Sequence, residues 1–423
     1  MPDPGIAGTG AAEGATGRRA AMPFILFTVL LDMVAIGLMV PVLPHIVGRF
    51  TDSPDAQTLA FLAVTLAFGI ANFFGSPVLG ALSDRFGRRP VLLIGFLGMA
   101  TSFFVTAAAT ALWMLVAVRL FSGAMQSNIS VANAYVADIS TADDRARRFG
   151  QLGAMFGIGF ILGPAVGGVL GDIDVRLPFV VAGTLALANT AYGWFVLPES
   201  LPPERRRPFE WRRANPVSAL RGLRSLEGVG PLVVTIALAS LAQYTLHMTW
   251  VLYTKFKFGW GPGQVGWSLF VVGLVAAVGQ GVLMRPLLAR WSPQKLAVIG
   301  MGSGTLAFIA WGLATEPWMV YVVIVANVLG GTAAAAVQSI VSNAADPTAQ
   351  GRTMGAVSSL NSLMAVLAPV IGLELLRWVS HLPAGDWRIG LPFFASATML
   401  AVANLIAIRF FLQRRRAAAG QPA

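Results

Sequence analysis

Two ionisable side chains stand inside otherwise apolar helical stretches, and their chemistry sets the first questions. Asp32 lies in Leu30-Leu31-Asp32-Met33-Val34-Ala35-Ile36-Gly37, and Arg119 in Leu115-Val116-Ala117-Val118-Arg119-Leu120-Phe121-Ser122-Gly123. A charge at such a depth costs roughly 3 kcal/mol or more unless it pairs, protonates or faces water. Asp32 is therefore a candidate for reversible proton binding or substrate contact, set against a structural carboxylate near a cavity mouth. Arg119 fits a proton relay or a substrate-orienting group, or one half of a structural ion pair. Its intramembrane carboxylate candidates are Asp32 and Glu374, and either acid could carry the proton. Polar side chains on neighbouring segments, Asn72, Gln126, Asn133, Gln243, Tyr244 and Gln280, are candidates for substrate binding. Asn128, Asn327, Gln338 and Asn361 belong to the same class, of which roughly half is expected to join helix to helix.

A second group of residues suits mechanics rather than chemistry. Gly80-Ala81-Leu82-Ser83-Asp84-Arg85-Phe86-Gly87-Arg88-Arg89-Pro90 is a charged stretch between two long apolar segments. Gly80 and Gly87 permit a tight reversal, and Pro90 sets φ for the first turn of the next helix. Arg85, Arg88 and Arg89 alone would read as a basic loop at anionic headgroups. Asp84 among them points to a latch, with Asp138, at the end of the fourth apolar segment, as an ion-pair partner for one arginine. The expected far partner of Asp84 is the positive end of the eleventh helix, near Thr353. In the fifth segment, Gly157-Ile158-Gly159-Phe160-Ile161-Leu162-Gly163-Pro164-Ala165-Val166-Gly167-Gly168 places small residues for close helix approach. Gly159, Gly163, Pro164, Gly167 and Gly168 are expected to form a pivot or seal between halves. The interleaved aromatics Phe156, Phe160, Tyr244 and Trp250 could line an apolar pocket or face lipid.

The elements that must position these residues are membrane helices. The 423 residues are 56% hydrophobic and 12% charged, about half the charge of a soluble chain. Apolar runs of about 20 residues recur along the chain, each long enough to cross a bilayer. Twelve spans are predicted, near 22–47, 59–81, 90–110, 112–136, 149–171, 177–197, 230–253, 264–288, 294–313, 317–340, 353–379 and 390–411. With a cytoplasmic N-terminus, inside segments hold about 23 of the 30 basic residues, which places both termini in the cytoplasm. The net charge of +11 is thereby assigned to headgroups and topology, not to nucleic acid.

Residues 1–20 read as a disordered cytoplasmic tail and not a signal peptide, 21–197 as a six-helix half, 198–229 as a basic cytoplasmic linker, 230–412 as a second six-helix half and 413–423 as a tail. The fold class is an all-α membrane protein of twelve transmembrane helices in two six-helix pseudo-repeats. The absence of cysteine excludes disulfides and thiolate chemistry, and the three scattered histidines suggest no metal cluster. No cofactor is expected.

An internal repeat supports the two halves. Trp113-Met114 recurs as Trp318-Met319, Pro164 as Pro369, Gly167 as Gly372, Arg85 as Arg290, and Ile94-Gly95 as Ile299-Gly300, each pair 205 residues apart. A fixed offset over such a length indicates duplication, and secondary transporters built this way bind substrate where the halves meet. The second copy of the charged stretch, Arg290-Trp291-Ser292-Pro293-Gln294-Lys295, lacks the aspartate and both glycines.

These motifs resemble the major facilitator superfamily. The charged stretch looks like its loop between second and third spans, and the fifth-span Gly-Pro string resembles the motif shared by its drug/proton antiporters. Met39-Val40-Pro41-Val42-Leu43-Pro44, Trp250-Val251-Leu252-Tyr253-Thr254 and Phe258-Gly259-Trp260 are similar to the tetracycline/proton antiporter group. The resemblance implies twelve helices and alternating access with a proton exchanged for a drug. It implies that Asp32 and Arg119 act in coupling and that Asn72 touches substrate. Three family positions depart from the pattern: an acid falls on Ser102, a histidine on Ala276 and an aspartate on Gly304. Those groups go with proton coupling and with metal-chelated tetracycline; the expectation is tetracycline-resistance-like export of a small amphipathic compound or drug without the groups that hold tetracycline itself, and with Asp32 and Arg119 as the remaining coupling candidates. The expected setting is a monomer in the bacterial inner membrane, with protons, lipid and a small molecule as partners. A proton-coupled uptake symporter for a sugar or metabolite is the competing reading, and a membrane-embedded enzyme or lipid flippase a remote one. Neither paired catalytic carboxylates nor a nucleotide loop is present for the latter.

Overall fold

The computed structural model describes residues 9–126, 128–210, 230–333, 336–337, 340 and 350–418. Among these described residues, ten helices are long and apolar enough to cross a membrane. The first span is Thr9–Met39 with the short Leu43–Gly48 after it; the second is Pro54–Phe86 and the third Arg88–Ala108. The fifth is Ala142–Ile173, the sixth Leu177–Val196, the seventh Gly230–Phe258 and the ninth Pro293–Leu313. The eighth opens with Pro262–Val278; Gln350–Val379 is the eleventh and Leu391–Ala418 the twelfth. Proline opens four segments, at Pro54, Pro262, Pro293 and Pro317, where its missing N–H is no loss. Ser53 and Ser292 cap two of them by accepting from Ala56 N (3.1 Å) and Lys295 N (3.3 Å).

Several elements differ from expectation. The fourth span is two helices, Leu112–Met125 and Asn128–Ile139, with Gln126 non-helical at φ −87° and ψ 67°. The run Gln126-Ser127-Asn128 puts three polar side chains in succession, and such groups compete with helical backbone bonding. The tenth span, Pro317–Ala326, tightens into a 3₁₀ turn at Asn327–Leu329 just before Gly330-Gly331. In the eighth span a π turn at Gly279–Leu283 carries Gln280 between two glycines before the helix resumes at Met284–Arg290. The first helix begins at Thr9, within the stretch read as a disordered tail; its alanines favour helix. Gln338 and most of the linker, residues 211–229, lie outside the described residues.

The duplication is visible in the packing. The first span lies on the fifth as the seventh lies on the eleventh, and the third lies on the sixth as the ninth lies on the twelfth. Gly167 meets Leu38 of the first span; its repeat partner Gly372 meets Thr245 and Thr249 of the seventh. Among the described residues the most extensive contacts between the halves are the fifth span on the eighth and the second on the eleventh.

These contacts concentrate at the end of the bundle opposite Gly87. There Lys255 Nζ donates to Gln57 Oε1 (2.7 Å), Gly263 N donates to Asp172 Oδ1 (2.9 Å), and Arg377 stands 4.0 Å from Asp55. Gln57 is itself fixed by donating to Pro44 O (2.6 Å). A methyl on Gly168 would lie 2.6 Å from Pro262 O, so the fifth and eighth spans touch closely here. Toward the Gly87 end, an added methyl on Gly157 of the fifth span or on Gly281 of the eighth would meet nothing within 4 Å. Among the described residues, the polar ties between the halves gather at the end opposite Gly87.

Candidate functional site

Asp32 is 3% exposed and sits in a tight, mostly apolar niche walled by Ile25, Val29, Leu92, Phe96, Ala132 and Phe156. Four spans supply these walls, all from the first half. Its one polar contact is Asn128, whose Nδ2 donates to Oδ1 at 3.3 Å. Asn128 stands at the start of the second helix of the fourth span as described, Asn128–Ile139. The break therefore delivers the only polar partner the carboxylate has among the described residues. A buried acid beside an amide and no cation is a group that can change protonation without dismantling an ion pair.

Arg119 is 7% exposed and meets neither candidate acid. A terminal nitrogen lies 2.6 Å from Met39 Sδ, and the guanidinium carbon stands 5.3 Å from the Phe68 ring centre. Sulfur is a weak acceptor and the ring gives a modest cation–π attraction, so the cation is held by soft contacts. Glu374 is paired with Arg377 at 2.9 Å, close to Asp55. Of the two acids read from the sequence, Asp32 alone is buried and free of a cation, while Glu374 belongs to the closed end of the bundle.

The charged stretch is more compact than a loop. The second helix continues through Phe86 and the third starts at Arg88, so the reversal falls on Gly87 alone, at φ 107°. Gly80 lies within the helix, where an added methyl would meet nothing within 4 Å, and its carbonyl accepts from Ser83 Oγ (2.7 Å). Arg88 is the hub. Its guanidinium reaches Asp84 (2.6 Å), Asp138 (3.0 Å) and Ser83 Oγ (2.6 Å). Arg85 stacks on Phe86, and Arg89 donates to Trp194 O. All these partners are in the first half. The expected far contact of Asp84, near Thr353, falls on side chains outside the described residues.

A residue that sequence reasoning passed over completes this turn. The Glu199 carboxylate, just beyond the sixth span, accepts from Arg88 N (2.8 Å) and Arg89 N (3.3 Å). It also accepts from Ser200 N (2.9 Å) and Leu201 N (3.0 Å). It caps the third helix from outside, matching its positive end. Tyr135 Oη donates to Pro198 O (2.8 Å), Ser200 Oγ to Asp138 (3.3 Å), and Arg207 N to Asp84 O (3.1 Å). The start of the linker is thus strapped across the turn.

The fifth-span glycines seal two surfaces. Gly159 and Gly163 face Met33 and Gly37 of the first span, with Pro164 against Gly37. Gly168 faces Pro262 and Gly266 of the other half. Of the substrate-binding candidates, Asn72, Gln126 and Asn133 are half-buried in the first half, and Tyr244 is half-buried in the second. Gln243 and Gln280 are exposed, with Gln243 3.2 Å from His247 Nε2. Asn361 joins helices by accepting from Ser240 Oγ (2.7 Å), and Asn327 accepts from Ser303 Oγ (3.0 Å). Trp250 is core: it donates to Ser268 Oγ (3.0 Å) and packs edge-on to Trp311. Phe156 lines the Asp32 niche and Phe160 is exposed.

Comparison with known proteins agrees with this architecture. The chain is 36% identical to the class C tetracycline resistance protein of Escherichia coli, over 90% of this chain and 95% of that protein. It is 33% identical to the class D tetracycline resistance protein of Salmonella ordonez over the same shares. Among solved structures, the nucleoside transporter NupG superposes with a TM-score of 0.74 at 15% identity, covering 92% of this chain and 99% of that one. The profile of the Major Facilitator Superfamily matches residues 25–369 and 232–423. The chain belongs to the Major Facilitator Superfamily.

Proposed function

We propose that this protein is a proton-coupled exporter that moves a small amphipathic compound across a bacterial inner membrane by alternating access. The observation that carries the reading is Asp32: a carboxylate 3% exposed, in an apolar niche, with an amide and no cation beside it. Its relatives are named for tetracycline resistance, and export of a drug follows from that kinship. The Lys/Arg bias places the Gly87 end, with both termini, in the cytoplasm. The cleft between the fifth and eighth spans then opens inward, and the Lys255–Gln57 tie closes the outer side. In this state the cleft admits substrate; closure of the Gly87 end, with Asp84 meeting the eleventh helix, starts the outward half of the cycle. Protein, lipid, proton and one small molecule suffice, and a single chain carries the whole path.

The substrate differs from a metal-chelated tetracycline. Ser102, Ala276 and Gly304 supply no carboxylate or imidazole, and a methyl on Gly304 would lie 2.8 Å from Leu400, in apolar packing. The test is made in everted vesicles carrying the protein under an imposed pH gradient. Tetracycline and a panel of amphipathic toxins are added in turn, and the same panel is scored for susceptibility in an efflux-deficient host. At least one compound is expected to dissipate the gradient and to lose potency. A panel that does neither overturns the reading.

A further inference from the structure

The third and fourth spans of the first half, and their counterparts in the second, meet at one repeated niche, and only one copy is polar. A methyl on Gly95 would strike Oδ1 of Asn128. At the repeat offset of 205 residues, a methyl on Gly300 would lie 2.9 Å from Cβ of Ala333. The second half makes the same helix approach with an alanine. Packing therefore asks for no amide at position 128, and a buried amide costs free energy unless it finds a partner. Asn128 is 4% exposed, and the partner it finds is Asp32.

We propose that Asn128 is the positioning residue for the transported proton: seated against Gly95 at the fourth-span break, it turns its amide N–H to the Asp32 carboxylate and favours proton release there. The inference rests on the reading of Asp32 as the coupling acid. An amide N–H donates to a carboxylate and stabilises the charged form; it gains nothing comparable from the protonated acid. The other walls of the niche, from the first, third, fourth and fifth spans, are apolar, and no further titratable group among the described residues lines it. Gly95 keeps the amide in place, since a side chain there would occupy the volume of Oδ1. The role is confined to the half that carries the acid, because the second copy of the niche holds two residues without a polar side chain.

The experiment follows the carboxylic-acid C=O stretch of Asp32 by infrared difference spectroscopy. The protein is held in phosphatidylethanolamine–phosphatidylglycerol vesicles without substrate and titrated with pH. The titrating band is expected in the wild type and absent in Asp32→Asn. In Asn128→Ala, which copies the alanine the second half already tolerates, the midpoint is expected to move up by about one pH unit. Gly95→Ala, which displaces the amide without touching the acid, is expected to move it in the same direction. A midpoint unmoved in folded Asn128→Ala overturns the inference and leaves Asp32 as the titrating acid. A wild type with no Asp32-dependent band overturns both.

Discussion

The Glu199 carboxylate occupies the space that a side chain at Gly87 would need. One residue lies in the turn between the second and third spans, the other beyond the end of the sixth. The absence of a Cβ at 87 lets the acid close on the amides of Arg88 and Arg89, at 2.8 and 3.3 Å. Gly87 is required twice over, by its φ of 107° and by this neighbour. The turn, the helix that follows it and the start of the linker form one rigid unit in this conformation.

Gly87→Ala is therefore expected to destabilise the protein by about 1–3 kcal/mol, from the unfavourable φ and the collision with Glu199. Thermal unfolding in detergent measures it. Glu199→Ala removes the obstacle, so the double variant should lose less than the sum of the two single losses. Additive losses would show that the two residues act independently.

Arg88 offers a planar fork to Asp84, Asp138 and Ser83, which a lysine cannot reproduce. Arg88→Lys should cost about 1–3 kcal/mol despite keeping the charge. Unfolding of this variant beside Asp138→Asn reads the effect; wild-type stability in Arg88→Lys would mean that charge alone suffices at the turn.

The closed end should respond to Gln57. Gln57→Ala removes the acceptor for Lys255 and the brace on Pro44, loosening one tie between the halves. The chain has no cysteine, so a single Gly157→Cys variant reports the open cleft by its rate of maleimide labelling. Adding Gln57→Ala is expected to slow that labelling by roughly threefold or more, as the halves part at the closed end and meet at the other. An unchanged rate would remove Gln57 from the gate.

Much of this was legible in the residues themselves. Apolar run length located the spans, and the 205-residue offset announced two halves that pack alike. Asp32 stood out because a carboxylate in hydrocarbon has few excuses. The details that escaped were of two kinds. Gln126 and Asn128 read from the sequence as polar side chains on one continuous span, because hydropathy averages over a short break such as that at Gln126. The other kind was long-range: Glu199 finds its amides 111 and 110 residues away, and Lys255 reaches Gln57 across 198. No local pattern encodes such pairs; they exist only once helices from distant parts of the chain are packed together. Arg119 escaped for the opposite reason, since charge complementarity suggested an acid where a thioether and a ring are found.

The central claim is that Asp32 carries the coupling proton, and Asp32→Asn tests it most directly. The variant cannot take up or release a proton, yet it fits the same niche and keeps a polar contact for Asn128. In everted vesicles, with a compound that the wild type exports, the measurement is collapse of an imposed pH gradient on adding that compound. Wild-type vesicles should lose the gradient, and Asp32→Asn vesicles, at equal protein level, should hold it and accumulate no compound. Undiminished gradient collapse and accumulation in Asp32→Asn would contradict the account.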